Sequence, residues 1–433
     1  MKIRFIIFVV LAALMGCSPL SKSKLNKSFT ETERKFQDHI GFVLYDPEKK
    51  ETVYTYNGEK YFTPASNTKI FTLFSSLALL GDSLPALNYM IKGDSLIFSG
   101  TGDPSFLYDQ VYNNKRTIDF LKTTAKELYY AGDNFFTSSL GPGWAWSDYN
   151  YAYSAERSPF PIYGNTYKVT QPTAAGIRVT PTYFKKYFWL ADSLSQASSF
   201  VREVGSNRTD YFPGKLIGNG REWYIPFKSN ALLVTDLLAD TLKRPVYLLN
   251  RPVEWKEKKT LYSVPADSVY KVMMQESDNF LAEQLLLVCS GVISDTLQQE
   301  IAIKHIIKIH LFDLPDSPVW VDGSGLSRYN LFTPRSIVAL WDKLYTSFDR
   351  DRLFSLLAVG GKSGTLRNNY KHEPPYVYGK TGTLRNNHSL SGYLITKKGR
   401  TLIFSYMNNN YTVPVADVRS EMERLLKQIY EKY

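Results

Sequence analysis

At 433 residues the chain is too long for one ordinary hydrophobic core, and we predict two or three globular domains. Hydrophobic residues make up 44% and charged residues 21%, which excludes a disordered or low-complexity protein. The net charge of +11 comes from Lys and Arg residues scattered along the sequence, without a nucleic-acid-binding motif, so we expect no nucleic-acid partner.

The N-terminal segment predicts export. Two basic residues precede a short apolar run that ends at Leu14-Met15-Gly16-Cys17. This pattern resembles a bacterial lipobox, in which Cys17 becomes the lipidated first residue of the mature protein. We therefore predict a signal peptide at 1–16, a flexible tether at 17–29, and a lipid anchor that holds the protein to a membrane of the bacterial envelope, facing the periplasm. A plain secretory signal with a chance cysteine is the alternative.

Strand and helix patterns at both ends predict one α/β domain with a second domain inserted in it. The following elements are predicted in chain order: strands at 39–45 and 52–56, a helix over 70–77, a helix within the insert at 117–130, helices at 266–275, 280–288, 297–311 and 334–345, strands at 377–382, 391–396 and 401–407, and a last helix at 415–430. We place the α/β domain at 30–85 and 253–433. The insert, at 86–252, is predicted to be mostly β, with two subdomains as an option.

Three short motifs carry chemistry, and the first is Ser66-Asn67-Thr68-Lys69. A serine hydroxyl is a poor nucleophile until a base takes its proton. Residues three apart on a helix share a face, so Lys69 can reach Ser66. The lysine must be neutral to act, and burial or a nearby cation such as Lys380 would lower its pKa. Ser66 at a helix N-terminus also brings free N–H groups to a developing oxyanion.

The second motif is Ser277-Asp278-Asn279. We expect Ser277 to sit between the two lysines and to pass a proton to the leaving amine. We expect Asn279 to hydrogen-bond the substrate amide and to help hold Lys69. Together with the third motif, Lys380-Thr381-Gly382, this order of motifs forms a known acyl-transfer set.

The third motif is expected to bind substrate. Lys380, on an edge strand, would attract a substrate carboxylate, and Thr381 would hydrogen-bond it. Gly382 would leave room for substrate. The N–H of Thr383 would complete an oxyanion hole with the N–H of Ser66. The five histidines have neither a triad arrangement nor metal-ligand spacing, so we predict no metal and no cofactor.

Long runs around these motifs resemble the class C low-molecular-mass penicillin-binding proteins, which are D-alanyl-D-alanine carboxypeptidases and endopeptidases. The runs are Pro64-Ala65-Ser66-Asn67-Thr68-Lys69, Gly100-Thr101-Gly102-Asp103-Pro104-Ser105, Gly143-Trp144-Ala145-Trp146, Glu276-Ser277-Asp278-Asn279-Phe280-Leu281-Ala282-Glu283-Gln284-Leu285, Asp322-Gly323-Ser324-Gly325-Leu326-Ser327-Arg328-Tyr329-Asn330 and Lys380-Thr381-Gly382-Thr383-Leu384. The resemblance implies a transpeptidase-like, serine β-lactamase-like α/β domain. It also implies cleavage of peptidoglycan stem peptides or cross-links through an acyl-serine, and covalent inhibition by β-lactams.

Two rival functions use the same motifs. A β-lactamase is disfavoured by the 211 residues between Ser66 and Ser277, because class A lactamases have a short gap there. A non-catalytic peptidoglycan-binding protein would be expected to lack Ser66, Lys69 or Asn279, and all three are present.

Some features have two interpretations. Residues 362–369 nearly repeat residues 380–387, so Lys362 competes with Lys380 as the motif lysine; we favour Lys380, because strands follow it, and place the first copy in a loop near the cleft. The segment 322–325 is expected to be a structural turn, although a catalytic or metal loop is possible. Cys289 lies in an apolar helical run and is expected to be a buried, inert thiol.

Overall fold

The computed structural model describes residues 21–111, 115–173, 176–191, 199–212 and 221–433. The first part contains α1 (Lys22–Phe36), β1 (His39–Asp46), β2 (Glu51–Tyr56), α2 (Lys69–Leu79), β3 (Ser83–Lys92), β4 (Ser95–Gly100), α3 (Arg116–Thr123), β5 (Glu127–Tyr130), β6 (Thr166–Thr173), β7 (Gly176–Thr180), β8 (Phe188–Leu190), β9 (Phe200–Arg202), β10 (Thr209–Tyr211), β11 (Glu222–Pro226), α4 (Ala231–Leu242), β12 (Val246–Leu248) and β13 (Lys259–Pro265). The second part contains α5 (Ala266–Gln275), α6 (Asn279–Ser294), α7 (Gln299–His310), α8 (Pro334–Ser347), α9 (Arg350–Leu356), β14 (Ala358–Val359), β15 (Val377–Leu384), β16 (Asn387–Ile395), β17 (Thr401–Asn409) and α10 (Val415–Lys432). Within these described ranges, no helix combines the length and the apolar character that a membrane span needs.

One six-stranded sheet joins both ends of the chain. Its strand order is β14-β15-β16-β17-β1-β2, and every neighbouring pair is antiparallel. Strands β16 and β17 are buried along almost their whole length because helices cover both faces. Helices α1 and α10 pack on one face, and α2, α6 and α8 contribute to the core on the other. The prediction of an α/β domain built from both termini is confirmed.

Helix α1 corrects the prediction of a flexible tether over 17–29. Its first turn is capped by Ser21, whose hydroxyl accepts a hydrogen bond from the N–H of Lys24 at 3.3 Å. Leu25 and Phe29 are fully buried, and the Phe29 ring stacks on the ring of Tyr56. The Ser- and Lys-rich composition hid an apolar stripe with helical spacing, so the predicted tether is helical from residue 22 and contributes to the core from Leu25 onward. Residues 1–20, with Cys17, lie outside the described residues.

The inserted domain is mostly β, but its limits differ from those predicted. A five-stranded sheet runs in the order β12-β5-β4-β3-β13, and β3 pairs antiparallel with β13. The N–H of Ala266 donates to the carbonyl of Asp82 at 2.9 Å. This bond joins the two chain segments that connect the insert to the α/β domain. The predicted boundary at 85/86 therefore falls inside β3, and the one at 252/253 lies before β13. The sheet extends the insert to 83–265. Two three-stranded sheets, β11-β6-β7 and β8-β10-β9, complete the described part of it.

The helix predicted at 117–130 is wrong in its second half. Helix α3 ends at Thr123, and residues 127–130 form strand β5, parallel to β4. Leu128 and Tyr130 point into the core of the insert with the period of two that a strand has. Pairing with a distant strand therefore overrides a local apolar pattern that suits a helix.

Candidate active site

Ser66 and Lys69 lie at the junction of a short 3₁₀ turn, Ala65–Thr68, with helix α2. The Lys69 Nζ donates to the Ser66 Oγ at 2.9 Å, to the Asn279 Oδ1 at 2.6 Å and to the carbonyl of Ser324 at 2.7 Å. Lys69 is fully buried, whereas Ser66 is partly exposed. The serine is thus open to substrate and its neighbouring amine is shielded from water.

Hydrogen bonds hold the serine turn against the central sheet. The Asn67 Nδ2 donates to the carbonyl of Lys380 at 3.1 Å, and the Asn67 Oδ1 accepts from the Ser391 hydroxyl. The Ser389 hydroxyl donates to the carbonyl of Pro64 at 2.9 Å. Strands β15 and β16 therefore set the position of the nucleophile, as a preorganised site requires.

Burial is the main reason that the pKa of Lys69 falls from 10.5 to about 8. The carboxylates of Asp322, Asp278 and Glu283 act in the opposite direction and limit the fall. We expected the charge of Lys380 to lower the pKa of Lys69 as well, but it is not among these causes. The pKa of Lys380 itself lies well below its ordinary value, first because of burial and then because of the charge on Lys69.

Ser277 accepts a hydrogen bond from one of the two lysines. The Lys380 Nζ donates to the Ser277 Oγ at 2.8 Å and to the carbonyl of Thr381 at 2.7 Å. Among the hydrogen bonds of the described residues, Ser277 has none to Lys69, so its position between the two lysines stays a prediction. The Asn279 Nδ2 donates to the carbonyl of Tyr153 at 2.9 Å, while its Oδ1 holds Lys69 as expected.

The open edge of β15 faces the serine. Strand β14 pairs with Tyr378 and Gly379 of β15, and the carbonyl of Val377 accepts from the N–H of Gly360 on that side. Backbone groups alternate along an antiparallel strand, so the N–H of Thr383 points to the same side, beyond the end of β14. This N–H and that of Ser66 are the two donors expected for an oxyanion hole.

Close packing between β15 and the serine turn explains why position 382 is a glycine. A Cβ at this position would lie 2.5 Å from the carbonyl O of Pro64 and 2.9 Å from the amide N of Ser66. The missing side chain therefore makes room for the serine turn and lets β15 approach the nucleophile closely.

The geometry separates the two near-identical copies of the third motif. Lys380 is fully buried beside Ser277, whereas Lys362 is exposed and pairs with Glu373 at 3.3 Å. The hydroxyl of Thr381 donates to the hydroxyl of Thr365 at 2.6 Å. The second copy is thus the one at the serine, and the first copy borders the cleft, as predicted.

The loop 322–327 belongs to the site, a role that the sequence pattern did not predict. The Asp322 carboxylate accepts from the N–H of Gly325 at 2.8 Å and from the N–H of Ser327 at 2.7 Å. These bonds turn the carbonyl of Ser324 toward Lys69. The segment is a tight turn, as expected, but the turn also supplies an acceptor for the amine.

Buried charges behind the loop connect the two domains. The Glu283 Oε1 accepts from the N–H of Ser324 at 2.7 Å, and Arg157 of the insert forms a fully buried ion pair with Glu283 at 3.4 Å. The Trp144 Nε1, also from the insert, donates to the Asp322 carboxylate at 3.0 Å. Burial raises the pKa of Glu283 to about 7. Trp144 therefore reaches from the insert to the loop beside Lys69.

Ser66 and Thr383 border two cavities. A cavity of about 740 Å³ extends toward the insert and the loop after β15, and its lining includes Asp148 and Arg328. A smaller cavity of about 200 Å³ lies on the other side of the serine. Its lining consists of Ser66, Ser277, Thr365, Leu366, Asn369, Tyr370, Thr381, Thr383, His388 and Arg419.

Cys289 is fully buried in α6, and burial raises the pKa of its thiol to about 12. It is therefore an inert core residue, as predicted.

Comparison with known proteins extends the resemblance over nearly the whole chain. The D-Ala-D-Ala carboxypeptidase 3 (S13) family matches residues 22–429. The chain is 23% identical to D-alanyl-D-alanine carboxypeptidase DacB of Haemophilus influenzae, over 89% of this chain and 88% of that relative. It is 26% identical to the D-alanyl-D-alanine carboxypeptidase of Actinomadura sp. strain R39, over 86% of this chain and 78% of that relative. The crystal structure of penicillin binding protein 4 from Haemophilus influenzae has the same fold, with a TM-score of 0.77 at 20% identity, covering 93% of this chain and 99% of that one.

Proposed function

Because the chain belongs to the D-Ala-D-Ala carboxypeptidase 3 (S13) family, we propose that it hydrolyses the D-Ala-D-Ala bond of peptidoglycan stem peptides. The reaction is a serine-type acyl transfer, and the same serine is acylated by β-lactams. The observation that carries the proposal is the 2.9 Å hydrogen bond between the buried amine of Lys69 and the hydroxyl of the partly exposed Ser66. Peptide cross-links that contain the same D-Ala carbonyl are a second substrate class.

Acylation begins when the Lys69 Nζ takes the proton of Ser66 and the Oγ bonds to the D-Ala carbonyl carbon. The carbonyl oxygen becomes an oxyanion, which the N–H groups of Ser66 and Thr383 stabilise. The C–N bond then breaks, and the leaving amine takes a proton from the Ser277 hydroxyl. Lys380, at 2.8 Å from that hydroxyl, restores the proton.

Water completes the cycle. It attacks the acyl-serine ester and gives a proton, through Ser277, to the now neutral Lys380. The ester C–O bond breaks, and the protonated Lys69 returns a proton to the Ser66 oxygen. Asn279 keeps Lys69 in place through both half-reactions, because its Oδ1 lies 2.6 Å from the amine.

Labelling with a fluorescent penicillin tests the proposal and separates it from its rivals. The expected result is a stable adduct that Ser66→Ala abolishes, together with release of D-Ala from an N-acylated D-Ala-D-Ala peptide. Fast turnover of the penicillin would instead identify a β-lactamase. Absence of both labelling and D-Ala release in a folded protein would leave a peptidoglycan-binding role. Ser347→Ala is a matched control, because Ser347 is exposed at the end of α8 and lines neither cavity.

We further propose that Cys17 carries a lipid and that the enzyme is held in the bacterial envelope, facing the periplasm. The support is the sequence Leu14-Met15-Gly16-Cys17 after a short apolar run. Expression with a radiolabelled fatty acid should label the wild-type chain, and Cys17→Ser should remove both the label and membrane association. A labelled Cys17→Ser chain would contradict the proposal.

A further inference from the structure

Arg419 is the charged residue of the small cavity beside Ser66. It lies on α10, and its side chain is partly buried. No carboxylate lines this cavity or forms an ion pair with Arg419 in the described part of the chain. Glu423, one helical turn further on, instead accepts hydrogen bonds from the N–H of Tyr370 at 2.8 Å and from the Asn369 Nδ2. A guanidinium facing a cavity without an acidic partner is suited to binding an anion.

Lys380 is less suited to that task than the sequence suggested. It is fully buried, and its Nζ already donates to the Ser277 hydroxyl and to the carbonyl of Thr381. Lys380 does not line the small cavity, so a carboxylate bound there would not contact its Nζ directly, whereas Arg419 does line that cavity.

Hydroxyl groups converge on the same cavity. Thr381 and Thr383 both line it, two residues apart on β15, so their side chains share one face of the strand. The Thr383 Oγ1 lies 2.8 Å from the Nδ1 of buried His388. Burial and the charge of Arg419 lower the pKa of His388 to about 3, so the ring is neutral at working pH. When the Nδ1 carries the hydrogen, it donates to Thr383, and the threonine hydroxyl is free to donate into the cavity.

The sizes of the two cavities indicate which part of the substrate lies in each. The 200 Å³ cavity has room for one small residue such as D-Ala, whereas the 740 Å³ cavity can hold the longer acyl part of a stem peptide. Ser277, the expected donor to the leaving amine, lines the small cavity. The leaving D-Ala, with its carboxylate, therefore belongs on the side of Arg419.

We propose that Arg419 recognises the carboxylate that flanks the scissile amide on the leaving-group side, together with the hydroxyls of Thr381 and Thr383, and that His388 is a positioning residue for the Thr383 hydroxyl. This inference rests on the proposed function. The specificity-determining cation is supplied by α10, 353 positions after the nucleophile. Substrates and β-lactams that lack this carboxylate should lose the contact.

The test compares benzylpenicillin with its methyl ester, which differ only in the carboxylate. In Arg419→Gln, the second-order rate of Ser66 acylation by the free acid should fall by about 10- to 100-fold, as expected for loss of a charge-assisted contact, while the rate with the ester stays within about threefold of wild type. Arg419→Lys keeps the charge but not the two-pronged geometry, so it should fall between the two. Lys427→Gln, which removes an exposed charge from the same helix, should leave both rates unchanged.

Peptide hydrolysis gives an independent measurement. With an N-acylated D-Ala-D-Ala peptide, Arg419→Gln should raise KM by about 10-fold or more with little change in kcat, because the carboxylate contact exists before and during the reaction. His388→Ala should give a smaller loss in acylation, confined to the free acid. Equal losses with acid and ester in Arg419→Gln, or no loss with either, would overturn the inference.

These outcomes are distinct from failure of the proposed function. If that function is wrong, wild-type protein reacts with neither penicillin, or Ser66→Ala still reacts. If only the role of Arg419 is wrong, wild-type protein reacts and the acid-to-ester ratio is the same in Arg419→Gln. Thermal unfolding of each variant shows whether a lost rate comes from a lost fold.

Discussion

Raising the pH should speed acylation of Ser66, because its proposed base is a lysine with a lowered pKa. Burial brings the pKa of Lys69 from 10.5 to about 8. A group with that pKa is about 1% neutral at pH 6, about 9% at pH 7 and about 90% at pH 9, so the rate should rise about tenfold between pH 7 and pH 9. An ordinary lysine would be only about 0.03% neutral at pH 7. Burial therefore increases the fraction of Lys69 in the neutral, basic form by about 300-fold.

The assay is the second-order rate of labelling by a penicillin methyl ester, measured from about pH 6 to about pH 9.5. The ester avoids any contribution from the carboxylate site. Lys69→Arg should label about 10²- to 10⁴-fold more slowly at every pH, because a guanidinium does not lose its proton in this range. Lys427→Arg, at an exposed position, is the matched control and should follow the wild-type profile.

The fold should not confound this profile. The folded-state pKa of Lys69 lies below its unfolded value, so the unfolded chain binds more protons between about pH 8 and pH 10.5. The contribution of Lys69 to stability therefore rises with pH over that window. A labelling rate that is flat or falls between pH 7 and pH 9, in protein that remains folded, would refute the reasoning.

Three further changes test the site and the fold. Gly382→Ala should slow acylation by about 100-fold, because its Cβ would meet the backbone of the serine turn, whereas Gly81→Ala, in open space, should not. Glu283→Gln should lower the free energy of unfolding by about 3–5 kcal/mol, measured with denaturant, because it leaves buried Arg157 unpaired; an unchanged midpoint would contradict this. Phe29→Ala should cost about 3–5 kcal/mol, and a cost near zero would restore the tether interpretation.

Local patterns were enough to predict the groups that meet at the nucleophile. The i, i+3 spacing of Ser66 and Lys69 depends only on one helical turn, and their hydrogen bond follows from it. The choice of Lys380 over Lys362 also came from local context, because a motif on a strand must be followed by its partner strands. These predictions used periodicity and short spacing, which a single sequence displays.

Contacts between distant segments could not be predicted in the same way. The limits of the insert depend on pairing between β3 and β13, which are far apart in the chain. The role of Ser324 depends on a carbonyl, which any residue type supplies. Arg419 is one of many basic residues in α10 and its surroundings, and only the packing of that helix brings it to the cavity. Side-chain chemistry alone carries no signal for such placements.

The three carboxylates near Lys69 have a role beyond offsetting its charge. Burial alone would lower the pKa of this lysine further, and Asp322, Asp278 and Glu283 restrain it at about 8. An amine with a much lower pKa would be neutral more often, but it would be a weaker base and would take the serine proton less readily. A pKa near ambient pH allows Lys69 both to accept the proton during attack and to release it later in the cycle. The buried ion pair of Glu283 with Arg157 therefore links the inserted domain to the strength of the base.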